Sequence, residues 1–235
     1  MSKTQIPTGG IADDAISEEH IDATVITGST ALGATPADTD ELLISDAGTI
    51  KRVDYSHLKD GAGLVLTGSS VSSTAASAIT ITNCFSSTYQ NYLLIGSMIP
   101  STDGSNLRFR LHDGSSALSG SSYKYATFQT RMDSGGYASA TGGNDGADHV
   151  QLTSGNNNDI SNAASTRMFI FSPAVSAFRT NAIMDTIGYT SSNDLDRNIQ
   201  HMKYNTAHTA LGVTFYTSSG NIDEFDIRVY GMVNS

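Results

Sequence analysis

The groups able to do chemistry are few and scattered. Six histidines (His20, His57, His112, His149, His201 and His208) lack the short spacings that gather imidazoles and thiolates around one zinc ion. Cys84 is the single cysteine. A thiol nucleophile needs a base to activate it, and the sequence marks none. Next to Phe85, Cys84 is expected instead to be a small buried apolar residue. Neither a nucleophile elbow nor a phosphate-cradling glycine loop occurs. Four carboxylates, Asp133, Asp145, Asp148 and Asp159, are concentrated enough to supply a glycosidase pair, whose separation is set in space. Turn formation explains them more cheaply, because Asp tolerates left-handed backbone. The run Gly142–Asp148 has oxygen ligands suited to calcium, without the EF-hand spacing. The expectation is therefore a protein without catalysis, metal or cofactor.

Recognition is the better use of the same stretch. Asp133–Ala147 reads as a long loop, and long loops on a rigid scaffold are where binding concentrates. Tyr137 can stack on a sugar face, while Asn144, Asp145 and Asp148 can hydrogen-bond hydroxyls. These four are the candidate ligand contacts.

The elements that must position them are strands. Apolar residues make up 38% of 235, with many short polar turn residues, which suits short strands and not long helices. Leu107, Phe109 and Leu111 alternate with Arg108 and Arg110, and Leu211, Val213 and Phe215 with Gly212, Thr214 and Tyr216. Phe225, Ile227 and Val229 alternate with Asp226, Arg228 and Tyr230. Such period-two patterns mean one face buried and one solvated, as in antiparallel sheets. Strands are expected near 63–68, 75–83, 91–99, 106–112, 122–132, 148–153, 165–172, 180–190, 197–204, 210–217 and 224–232. Their number implies an all-β, antiparallel, jelly-roll-like β-sandwich, with another Greek-key order as the alternative. If strands simply alternate in direction, the 133–147 segment falls at the end away from the chain entry, beside 100–105 and 173–179.

The N-terminal third differs. Ile6, Ile11, Ile16, Ile21 and Ile26 recur every fifth residue, a period of neither helix nor strand. The intervening residues are small or acidic, so one copy cannot bury enough apolar surface to offset its ordering entropy. These isoleucines are expected to bury against sister chains or a docking partner. Residues 1–34 thus read as an anchor and trimerisation stem. Residues 35–62 read as a short β-hairpin linker, with strands 41–45 and 49–55 around Asp46–Gly48. Residues 63–235 form the sandwich.

Residues 1–60 carry eleven acidic against four basic side chains, and the whole chain has a formal charge of −10. An acidic surface without basic runs repels nucleic acid, so no nucleic-acid partner is expected. No apolar run approaches 18 residues, which argues against membrane insertion. No secretion signal is evident either.

A resemblance rests on several of these segments. Tyr89–Ile95, Pro100–Asp103, Leu107–Leu111, Ser122–Ala126 and Ile227–Gly231 resemble the C-terminal sandwich of tail-fibre-like virion proteins from marine tailed bacteriophages. Residues 9–53 resemble the stem-proximal segments of the same proteins. The resemblance implies a homotrimer with stems about a threefold axis, located in the virion and binding other tail or virion proteins, or host cell-surface polysaccharide. A head fibre or decoration protein is the alternative within that class. A glycan depolymerase is the alternative of another class, and a secreted carbohydrate-binding module is disfavoured by the missing signal.

Overall fold

The computed structural model describes residues 27–59 and 63–233. The five isoleucines from Ile6 to Ile26, and the stem expectation resting on them, lie outside the described residues. The chain divides into two compact units, Met1–Lys59 and Asp60–Ser235.

In the first unit β1 (Glu41–Asp46) and β2 (Thr49–Asp54) form an antiparallel hairpin, followed by a single helical turn, α1 (Tyr55–Lys59). Ala47 and Gly48 both have positive φ, 49° and 84°, making the two-residue primed turn that matches strand twist. Glycine adopts this conformation freely, whereas Ala47 holds it with a Cβ present. Leu43 and Ile50 remain largely exposed, so the hairpin has no core of its own among the described residues.

The second unit contains twelve strands: β3 (Leu64–Ser72), β4 (Ala78–Ile81), β5 (Asn91–Pro100), β6 (Leu107–His112), β7 (Tyr123–Asp133), β8 (Gly136–Ala147), β9 (Val150–Gln151), β10 (Ala164–Phe171), β11 (Asn181–Tyr189), β12 (Leu195–Tyr204), β13 (Gly212–Thr217) and β14 (Ile222–Met232). Eight of them form one sheet in the order β3-β14-β5-β10-β11-β12-β7-β8. The other four form a second sheet, β4-β13-β6-β9. With β7–β8 and β11–β12 set aside, the remaining eight have jelly-roll connectivity, two interleaved four-stranded sheets. The two extra hairpins are insertions, one between β6 and β9 and one between β10 and β13. Both add to the same edge, beyond β10, so one sheet is twice as wide as the other.

The core lies between the sheets where both are present. Phe109 and Phe215 meet with ring centroids 5.5 Å apart, against Leu107, Leu111 and Val213, all fully buried. Each such side chain contributes about 1.5–3 kcal/mol by leaving water. Two buried tyrosines are pinned at both ends of their hydroxyls. The Tyr123 hydroxyl accepts from Leu111 N at 2.9 Å and donates to Leu118 O at 2.9 Å. That of Tyr92 accepts from Ser86 N and donates to Ser86 O. Cys84 is buried in this core as expected, and burial pushes its thiol up to about 12. A thiol so protonated is a poor nucleophile.

Two expectations are corrected. The 173–179 segment leaves β10 at Phe171, at the chain-entry end beside Asn91 and Leu64, and so lies opposite the Asp133–Gly136 turn and not beside it. Asp133–Ala147 is not a loop, because residues 136–147 form β8, the edge strand paired along its length with β7. The tight turn between them is Ser134–Gly135, where Asp133 Oδ1 accepts from Gly135 N at 2.7 Å. All but the two ends of β8 are exposed. A strand that buries neither face needs no alternation, and its four glycines imitate a loop.

Candidate binding face

Where the four-stranded sheet ends, the wide sheet reverses its polarity. On β12 the inward residues Asp196, Asn198 and Gln200 are polar and buried, while Leu195 and Ile199 face outward and are substantially exposed. The inward groups bond largely to one another and to nearby strands, with Gln200 Oε1 left unpaired. Gln129 Nε2 and Asn198 Nδ2 each donate to an Asp196 oxygen at 2.8 Å, and Gln200 Nε2 donates to Gln151 O and Thr127 Oγ1. The four-stranded sheet ends at β9, whose Gln151 carbonyl meets Gln200 of β12.

The outer face of the wide sheet therefore carries the unpartnered apolar surface. Register sets Tyr189, Leu195, Met132 and Tyr137 in one row across β11, β12, β7 and β8. Asp185, Ile199 and Phe128 form another row, with Ile187 between the two. Exposure of the large apolar members runs from 37% at Tyr189 to 66% at Tyr137. Isolated exposed apolar residues are ordinary, but a contiguous field of them marks an interaction surface. The charges inside this field are held together. Asp185 accepts from Arg197 Nε at 2.8 Å and from Arg167 Nη2 at 2.9 Å. Hydrogen bonds from Arg197 hold the Asp185 carboxyl below the usual carboxylate range despite partial burial.

The opposite end of the same face is cationic. A row runs Phe171, Asn181, Lys203, Lys124, Asp145 from β10 to β8. Chain entry is at this end, since Leu64, Met232 and Asn91 continue the row through β3, β14 and β5. A depression of about 800 Å³ lies here. Lys124 Nζ contacts Asp145 Oδ1 at 2.6 Å. A bulge between Tyr123 and Lys124, with Gly146 at φ 97°, turns Asp145 toward that lysine.

The sequence-derived contacts are thus separated. Tyr137 and Asp145 lie at opposite ends of β8, in the apolar and the cationic region respectively. Asn144 pairs with Tyr125 and so alternates to the other face, although it too borders the depression. Asp148 belongs elsewhere. It meets Arg110 of the four-stranded sheet and the His149 ring, and Arg110 also stacks over Tyr216 at 4.6 Å. Burial pushes the Asp148 carboxyl up, but His149 and Arg110 together hold it below its ordinary value. Asp133 and Asp159 serve turns, Asp159 accepting from Ser161 N at 2.9 Å. No group of three metal-ligating side chains occurs among the described residues.

Lys124, Lys203, Asn181 and the outward apolar field are functional candidates that sequence reasoning passed over. A signal was present in Leu195–Tyr204, where either choice of inner face leaves some apolar residues on the outside.

The fold and site define a jelly-roll β-sandwich with one sheet face left uncovered. No family model matches the chain. No curated protein matches it. Among solved structures, an exo-inulinase from Aspergillus awamori is similar over 83% of this chain and 35% of its own, at 10% identity and TM-score 0.35. The chain spans about a third of that enzyme, and so distant a likeness bears on no chemistry.

Proposed function

We propose that this chain is a structural and binding component of a bacteriophage virion, a trimeric tail fibre or short external appendage, and not an enzyme. The observation that carries the reading is the reversed polarity of β12 and β7, which with Ile187, Tyr189 and Tyr137 leaves an apolar field facing outward. Its occupant is a second copy of the same chain. With strands about 4.8 Å apart and rising about 3.3 Å per residue, the apolar rows of β11, β12, β7 and β8 cover a few hundred Å², part of the roughly 800 Å² per partner of a stable interface, and leave the Lys203–Lys124 end of the face open. The charges within the field are already paired, so covering it strands no lone carboxylate. The fivefold isoleucine spacing independently calls for sister chains, and cyclic closure satisfies both needs. Three copies in one particle raise avidity for host polysaccharide or a neighbouring virion protein without strong individual contacts.

Sedimentation equilibrium of the full chain tests this. The expected mass is three times the 24.7 kDa of one chain. A monomer at the highest soluble concentration overturns the proposal.

A further inference from the structure

We infer that the cationic end of the outer face binds a carboxylate-bearing saccharide; the biological use of this site rests on the fibre reading above. The argument starts from a like-charge contact. Lys203 and Lys124 are directly opposed on β12 and β7, on the same face. Cross-strand partners of like charge destabilise a sheet. Asp145 relieves only Lys124, and the Lys203 ammonium has no carboxylate or hydrogen-bond acceptor among the described residues. An acidic chain, with 23 carboxylate side chains against 13 lysines and arginines, has here a local surplus of positive charge. One bound carboxylate between the lysines removes the repulsion.

The surroundings narrow the ligand to a sugar acid. The depression, about 800 Å³, is within the range of small-molecule sites and admits more than one pyranose ring. Phe171, Ile183 and Ala126 offer apolar surface for the C–H face of a ring. Around them, His201 lies between Ile183 and Ala126 in the cross-strand row. Asn181 donates through Nδ2 to Arg179 O at 2.9 Å, which leaves its Oδ1 free to accept from a hydroxyl. A compact dianion would use the ammonium groups but waste the apolar floor. A neutral sugar would use the floor but leave the lysines opposed. A uronic acid uses both. A highly charged polymer is disfavoured, because the rest of the chain is net negative.

Titration calorimetry on the full chain at low salt, with trigalacturonic acid, its methyl ester and inorganic phosphate, tests the assignment. Trigalacturonic acid is expected to bind, and the ester and phosphate at least tenfold more weakly. Lys203→Glu should weaken trigalacturonic acid at least tenfold while melting temperature and assembled mass stay unchanged. Added salt should weaken the wild-type interaction. Equal affinity for the ester, phosphate as tight as the acid, an unaffected Lys203→Glu chain, or no binding of the acid each overturns the site. The two proposals fail separately: an assembled chain that ignores the acid sinks only the site, and a monomer that binds it sinks only the fibre.

Discussion

The two ends of one sheet face carry opposite invitations. Near Tyr189, Leu195, Met132 and Tyr137 the outer surface is apolar, and its nearby charges are neutralised within the chain. Near Lys203 and Lys124 it is hollow, and a like-charge pair is left only half relieved. The apolar end breaks the rule that a sheet facing water is polar on its outer side, whereas the cationic end keeps to it but sets like charges opposite each other. The first suits a broad protein surface that excludes water, and the second suits a small anion with an apolar body. A single strand pair, β12 with β7, runs through both, so the contrast comes from side chains and not from backbone.

The largest expected effect of breaking this contrast is at the apolar end. Leu195→Asp combined with Phe128→Asp should convert the assembly to monomers in sedimentation, because each buried carboxylate would lack a partner. Both positions are exposed in the single chain, so circular dichroism and melting of the monomer should stay near wild type. The same pair of changes that leaves the mass intact would move the self-association surface elsewhere.

A smaller effect is expected from Asp185→Asn, which leaves Arg167 and Arg197 without their shared carboxylate. Both arginines are well exposed, so solvent screening keeps the loss to about 1 kcal/mol in urea denaturation. Its pH dependence has a defined sign. The folded carboxyl is depressed relative to an unfolded value of about 3.9. Its contribution is complete above that value and disappears as pH falls through the lower folded one. Wild type should therefore lose part of its advantage over Asp185→Asn in that acid window. An advantage that persists there would show that the pair is not what the substitution removes.

The smallest effect on stability is expected from Asp145→Asn. Its ion pair with Lys124 is exposed, so melting should shift by less than about 0.5 kcal/mol equivalent. Trigalacturonic acid binding should nevertheless tighten by a few fold, because Lys124 gains freedom to engage the ligand. A weaker interaction would instead make Asp145 part of the ligand contact.

Much of the architecture was legible in the chain. Phe225, Ile227 and Val229 alternate because β14 has a core on one side and water on the other, and the same is true of Leu107, Phe109 and Leu111 in β6. The Asp46–Gly48 signal likewise marks a real two-residue turn. Reading failed at β8, where an edge strand exposed on both faces bears no periodic imprint. A loop at Asp133–Ala147 would gather Tyr137, Asn144 and Asp145 into one cluster. In an extended strand they spread over about 25 Å and across two faces. Lys203 and Lys124 were illegible for another reason. They lie 79 positions apart, and nothing local to either indicates the other.

By itself, then, the sequence determined the strand class, the buried faces of the jelly roll and the absence of an evident catalytic motif. Alternation is a local property, imposed on each strand by its own pleat. Only the tertiary structure decided that two hairpins extend one sheet past the edge of the other. That extension places buried polar side chains on the inner face of β12 and brings two distant lysines side by side on its outer face. Register between strands is a property of pairs, and no single segment encodes its partner.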